Sequence, residues 1–405
     1  MHEISEFGLV VLVVAAGFVV GVLATKLTDR VPVPAPGVFL VAAALLSDLV
    51  PSIYDRVPIR TVERIAVVAL IVILLDGGMD VGWRRFRAAA APVLLLGIAG
   101  TVMTAAIVAL AVHLLFGFGW VFAGLVGGAV APTDPAVMFS VLGDREIEGR
   151  SGTTLEGEAG VNDPVGIALV LGLIELATHP HATFWVVVRE FAVEMAVGAA
   201  LGLLGAAVLV PLVRRVRLSS AALYPVFVLL AAAALFGATS VAHGSGFLAV
   251  FVASLFLGDA TLPARDEIVG FHSALARLAE LTVFVALGLT VHVGDIGAHV
   301  WVEGVVVALV LALLARPLAV VVTLAGARFR RNELAFIAWS GLKGAVPILL
   351  GAFVLLEDAP GAARLYSLVF VVVLVSVVGQ GTLLPLVARR LAIPMRERPR
   401  FAGIV

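Results

Sequence analysis

Residues 119–142 read GWVFAGLVGGAVAPTDPAVMFSVL. A run of this length would cross a bilayer as one helix, because ~20 apolar residues at ~1.5 Å each cover the ~30 Å hydrocarbon core. It is interrupted at its centre by Ala131-Pro132-Thr133-Asp134-Pro135. The two prolines remove two backbone donors and clash with preceding carbonyls, so the helix is expected to unwind there. Unwound backbone is tolerated at membrane depth only where it lines protein or water. The break turns one half-helix N-terminus and one half-helix C-terminus inward, and Asp134 carries the charge that neutralises N-terminal ends. A plain proline kink capped by Asp134 is the blander alternative, but a kink needs no charge at mid-bilayer.

A second apolar run, 333–356, is broken in the same way by Gly341-Leu342-Lys343-Gly344-Ala345-Val346-Pro347. Its central charge is positive, and Lys343 suits the negative C-terminal ends of half-helices. Two broken spans with opposite central charges, in corresponding positions of the two halves, point to an inverted-repeat transporter.

Composition agrees with a membrane chain. Of the 405 residues, 61% are hydrophobic and 14% charged, against about 25% charged in soluble domains. A soluble globule needs a larger polar skin than this. The net charge of −1 offers no basic field for nucleic acid, and with no cysteine there is no disulfide or thiolate metal site. No cleavable signal is evident. Thirteen membrane segments are expected: 7–28, 35–50, 62–79, 89–116, 119–142, 155–177, 184–213, 221–241, 246–258, 269–292, 298–327, 333–356 and 361–388. With the N-terminus outside, alternate loops and the tail collect nineteen basic residues, among them Lys26, Arg85, Arg150, Arg217, Arg330 and Arg396. The opposite loops hold four, Arg56, Arg60, Arg64 and Arg364. Basic residues stay cytoplasmic, so the C-terminus, with a short tail at 392–405, is expected inside. The expected class is an all-α polytopic protein of the inner membrane with about 13 transmembrane helices.

Ionisable residues inside spans cost at least ~2.5–3.5 kcal/mol each on insertion scales and usually face a cavity or a partner. They are Asp76, Asp134, Glu156, Glu158, Asp163, Glu175, Glu194, Arg277, Glu280, Arg316 and Lys343. The densest stretch is Leu155-Glu156-Gly157-Glu158-Ala159-Gly160-Val161-Asn162-Asp163-Pro164. Glu158 and Asn162, four apart, share a helix face; Glu156 and Asp163, seven apart, share another. Asp163 falls ~12 Å into its span at 1.5 Å per residue, near the midplane where transporter sites lie. A carboxylate there holds a dehydrated cation or a proton, and that competition suffices for coupled exchange. Pro164 cannot donate to the carbonyl of Gly160, which frees an oxygen near Asp163. The alternative for Asp163 is a buried structural carboxylate, and Glu156 has an interfacial alternative. Arg316 lies too deep to snorkel and wants an acidic partner, for which Glu158 is the candidate. Asp76 either lines an inner vestibule or is a plain helix-end charge. Arg277 and Glu280, three apart, read as an intrahelical pair.

On these residues the chain resembles the monovalent cation:proton antiporter-1 family, the sodium/proton exchanger type, over nearly its whole length. Glu158-Ala-Gly-Val-Asn162-Asp163-Pro164 looks like the family's Glu-Ser-x-x-Asn-Asp signature. Thr133-Asp134-Pro135 looks like the Thr-Asp-Pro of its first unwound helix, and Gly341-Leu342-Lys343-Gly344 like the Gly-Leu-Arg-Gly of the second. Leu-Leu-Asp76-Gly-Gly and Arg316 also match. The resemblance implies two inverted six-helix repeats, with a dimerisation subdomain (roughly 7–80 and 184–292) that stays fixed while a core (roughly 89–177 and 298–388) moves as an elevator. It implies that Asp163 carries the ion or proton, that Asp134 supports the site with Thr133 offering oxygen, and that Asn162 and Glu158 form a network with Arg316. Asp163 and Asp134 would be the ligands of the monovalent cation. It further implies a homodimer and one proton per cation, because Asn precedes Asp163. No cofactor is implied; Na+ or K+ and H+ are the transported ions. Two departures stand out: Ala159 replaces the usual serine, and Lys343 replaces arginine, keeping the charge without the planar fork. Asn162-Asp163-Pro164 looks like the potassium/proton subgroup.

Rival readings fit less well. A cation channel would use rings of carbonyls or charges about a symmetry axis. An anion carrier would favour cationic groups at the midplane. An intramembrane aspartyl protease would need Tyr-Asp and Gly-x-Gly-Asp inside its spans; Tyr54-Asp55 falls between two expected spans and Gly-x-Gly-Asp is missing, so no enzyme is expected.

Overall fold

The structure, a computed structural model, describes residues 19, 34–49, 58–142, 145–179 and 181–397. The expected first segment, 7–28, lies outside the described residues, as do Lys26, Arg30, Arg56 and the tail from 398 onward. Helix dominates the rest. In chain order the helices are α1 (Ala35–Leu49), α2 (Ile59–Val81), the short α3 (Trp83–Ala88) and α4 (Ala90–Phe116). The first broken span is α5 (Trp120–Val130) with α6 (Pro135–Leu142), bent by 40° at the break. Then come α7 (Gly149–Thr178), α8 (Phe184–Arg215), α9 (Leu223–Val241), α10 (Gly246–Asp259), α11 (Arg265–Gly288) and α12 (Ala298–Thr323). The second broken span is α13 (Arg331–Trp339) with α14 (Ala345–Leu356), and α15 (Ala362–Arg390) closes the helical part. Among the described residues, seven helices are long and apolar enough to cross a membrane, or eight with the bent pair taken as one span.

Each expected segment from 35–50 onward coincides with one of these helices or broken pairs. The ends differ. The helix expected at 155–177 begins at Gly149 and runs for 30 residues, because polar Ser151, Thr153 and Thr154 are buried against neighbouring helices and hydropathy alone trims them. A further feature departs from an all-helical expectation: Arg145–Ile147 (β1) pairs antiparallel with Met395–Glu397 (β2), with Arg145 opposite Glu397 and Ile147 opposite Met395.

The helices pack in two groups. One contains α1, α2 and α8–α11, in which α2 contacts both α10 and α11 and α8 lies along α10. The other contains α4–α7 and α12–α15, in which α4 lies against α5, α12 against α15, and α14 against α15. Helix α7 lies between them, touching α8, α2 and α10 from one group and α4 and α5 from the other. Three π-helical turns interrupt the second group, at Leu95–Gly100 in α4, Leu311–Ala315 in α12 and Val375–Gln380 in α15. Such turns widen a helix by one residue and often mark functional sites.

Candidate functional site

The two helix breaks meet. The Asp134 amide donates to the Leu342 carbonyl at 2.8 Å, joining the first unwound stretch to the second. Each break's charge sits at the helix ends it was expected to serve. Asp134 Oδ1 accepts from the Ala136 amide at 2.8 Å, in the first turn of α6, and the amides of Val137 and Ala345 also face its carboxylate. Two half-helix N-termini, those of α6 and α14, therefore converge on one negative charge. Lys343 Nζ donates to the carbonyls of Ala131 at 2.7 Å and Pro132 at 2.9 Å, which end α5. Lys343 is fully buried, so these bonds replace the water its ammonium has lost. Gly344 makes the crossing possible: a Cβ there would overlap the Asp134 side chain.

The third motif lies on α7 beside the crossing. Asp163 is the fifteenth of the helix's 30 residues, at its centre, and Pro164 is accommodated without a break. The expected pair forms: both terminal guanidinium nitrogens of Arg316 donate to Glu158, Nη2 to Oε2 at 2.7 Å and Nη1 to Oε1. Arg316 directly follows the π turn of α12. Asn162 Nδ2 donates to Thr133 Oγ1 at 2.6 Å and reaches Glu158 Oε1 at 3.5 Å, and Thr133 Oγ1 also lies 3.5 Å from Glu158. One network thus ties α7, the first break and α12 together. Asp163 has Asp134, Lys343 and Glu158 as charged neighbours. Its residue is 7% exposed, yet its Oδ1 has no hydrogen-bond partner among the described residues, nor has Asn162 Oδ1. Buried polar atoms are nearly always partnered, so a pair of lone oxygens on adjacent residues at mid-helix makes this face the candidate site. Gly160 lets the ring of Phe251 on α10 approach this face; a Cβ there would collide with it.

Other expected residues lie farther out. Asp76 is not a helix-end charge: α2 continues to Val81, and Ser273 on α11 donates to Asp76 Oδ1 at 2.9 Å. Glu156 pairs with Arg85 at 3.0 Å, away from the crossing. Arg277 and Glu280 do not form the expected intrahelical ion pair. Arg277 is exposed, whereas Glu280 Oε1 is buried without a hydrogen-bond partner among the described residues; the two share a helix face and Arg277 acts on Glu280 at electrostatic range, as Asp134 does, without closing to contact. Two site residues escape a search for charge. Ser376 Oγ accepts from the Lys343 amide at 3.0 Å, and Gln380 Nε2 donates to the Trp339 carbonyl at 2.6 Å. Their polarity inside the otherwise apolar run 361–388 was the available signal.

Comparison with known proteins places this arrangement in context. The profile of the family described as "Sodium/hydrogen exchanger, transmembrane" matches residues 3–390. A protein of Alkalimonas amylolytica named K(+)/H(+) antiporter NhaP is 34% identical over 400 residues, covering 98% of this chain and 69% of that protein. A Shewanella sp. (strain ANA-3) protein named K(+)/H(+) antiporter NhaP2 is 33% identical over 402 residues with the same coverage. The solved structure of the sodium proton antiporter MjNhaP1 from Methanocaldococcus jannaschii at pH 8 has the same fold, with a TM-score of 0.81 at 22% identity over 96% of this chain and 99% of that one.

Proposed function

The chain belongs to the sodium/hydrogen exchanger family, and from that membership we propose that it exchanges a monovalent alkali cation, Na+ or K+, for H+ at Asp163. The buried Asp163 oxygen without a protein partner carries this reading. A proton or a partly dehydrated cation satisfies it, and the two compete for it. The immediate charges are Asp134, Glu158 and Asp163 against Arg316 and Lys343. One carboxylate, Asp163, takes either a single monovalent cation or a single proton, which favours electroneutral 1:1 exchange. Thr133, Asn162 and Asp134 complete the ligand shell, while Glu158, Arg316 and Lys343 hold it in shape.

Alternating access comes from movement of α4–α7 and α12–α15 as a core against α1, α2 and α8–α11, in a homodimer of the cell membrane with the C-terminus cytoplasmic. The two packing groups and the uneven distribution of arginine support this. Potassium is favoured over sodium by Ala159 in the signature, by the Asn-Asp-Pro ending, and by the names of the relatives near 33% identity.

Proton flux in proteoliposomes tests the proposal. Sodium, potassium, lithium or choline is added to vesicles carrying a pH-sensitive dye, with and without a membrane potential. Alkali cations should move protons and choline should not, independently of the potential. Asp163→Asn should abolish the flux while the protein still inserts. Full activity in that variant removes Asp163 from the mechanism, and silence toward every alkali cation in folded protein removes cation/proton exchange.

A further inference from the structure

On the face that collects most of the arginines, the connection between α2 and α4, the start of α7 and strand β2 border an open cavity of about 550 Å³. Three guanidinium groups from separate parts of the chain line it: Arg85 of α3, Arg150 of α7 and Arg396 of β2. Thr153, Gly149 and Glu148 line it as well. Two of the arginines are held in place. Arg85 is fixed by Glu156 at 3.0 Å and by the Asp80 carbonyl at 3.2 Å. Arg150 lies over the Phe329 ring at 5.1 Å. The backbone of Arg396 is set by the β1–β2 ladder, opposite Glu146.

Fixed guanidinium forks suit tetrahedral oxyanions, because little side-chain freedom is lost when they bind. The three guanidinium groups stand beside two carboxylates, Glu148 of the lining and Glu156, which is engaged by Arg85. The first turn of α7 adds amides with no side-chain cap, which reinforces the preference for an anion. The lining includes the first residues of α7, a helix long and apolar enough to cross a membrane, and headgroup phosphates lie at the level of such helix ends. The volume exceeds what a lone phosphate fills.

We propose that this arginine-lined cavity binds a phosphate group, carried by an anionic lipid headgroup or by soluble phosphate, and that the occupant ties α3, the start of α7 and β2 together. Since α7 also carries Asp163, occupancy bears on the position of the site helix, although binding itself does not depend on the exchange reading.

Thermal unfolding of the full chain in detergent tests binding without reference to transport. Inorganic phosphate, short-chain phosphatidylglycerol and short-chain phosphatidylcholine are titrated separately at constant ionic strength. Phosphatidylglycerol or phosphate should raise the melting temperature, and phosphatidylcholine should not. Arg150→Gln/Arg396→Gln should need about tenfold more ligand for the same rise. Arg328→Gln/Arg331→Gln, outside the cavity, should respond as the parent does. If the first double variant does not fold, Arg150→Lys replaces it; it keeps the charge without the fork and should bind more weakly than the parent. A response to phosphatidylglycerol alone identifies the headgroup as the source, and an equal response to inorganic phosphate identifies the free ion. No response to either, or equal responses in the parent and the cavity variant, overturns the proposal.

Discussion

Glu158 is fully buried and Arg316 is 2% exposed, so neither charge can turn to water if the other is removed. Deleting one partner of such a pair costs about 3–5 kcal/mol, mostly from the charge left behind. Glu158→Ala and Arg316→Ala should each lower the melting temperature markedly, and the double variant should be less damaged than the sum of the two. Strict additivity would contradict the coupling. The consequence reaches the site, because Glu158 also faces Asn162 and Thr133. Next to Glu158, the buried Ala159 offers no oxygen. Ala159→Ser adds one near the lone oxygens of Asn162 and Asp163. A net polar contact is worth ~1 kcal/mol, or roughly fivefold in an equilibrium, so the ratio of sodium to potassium rates should move by about that factor. An unchanged ratio removes position 159 from selectivity.

The two half-helix pairs are stabilised by charges that cap each other's ends. Lys343→Met leaves the Ala131 and Pro132 carbonyls without their ammonium donor, at about 1–3 kcal/mol for each orphaned group. Thermal unfolding should show the loss, and exchange should fall with it; Lys343→Arg keeps the charge and should lose less stability. Much of this was legible in the residues. Pro132, Pro135, Gly341 and Gly344 announce broken helices by covalent geometry alone, and the signs of Asp134 and Lys343 say which ends they serve. Arg316 demands a carboxylate by its depth, and Glu158 is the one it finds. The π turns were not legible, since an extra residue in an apolar run leaves its composition unchanged. Ser376 and Gln380 escape a search for ionisable residues because neither carries a charge. The pairing of Arg85 with Glu156 depends on how α3 folds back across α7, which no local pattern encodes.

For the molecule as a whole, span positions follow from hydropathy, and the expected sidedness rests on arginine. The chain contains no cysteine, so single introduced thiols report sidedness without background. Arg217→Cys and Glu357→Cys, both exposed in connections between helices, should react with an impermeant maleimide from opposite sides of sealed vesicles. Labelling from the same side would break the alternation on which the orientation rests. What hydropathy could not foresee is the pairing of β1 with β2, because three-residue strands are too short to show a period of two. That ladder closes the chain between Arg145 and Glu397 into a loop. A pull on the chain beyond Glu397 is therefore delivered to the connection between α6 and α7, close to the unwound crossing and to the first turn of the helix that carries Asp163. The clasp makes one closed circuit of the chain's last strand and the start of the helix that carries the site.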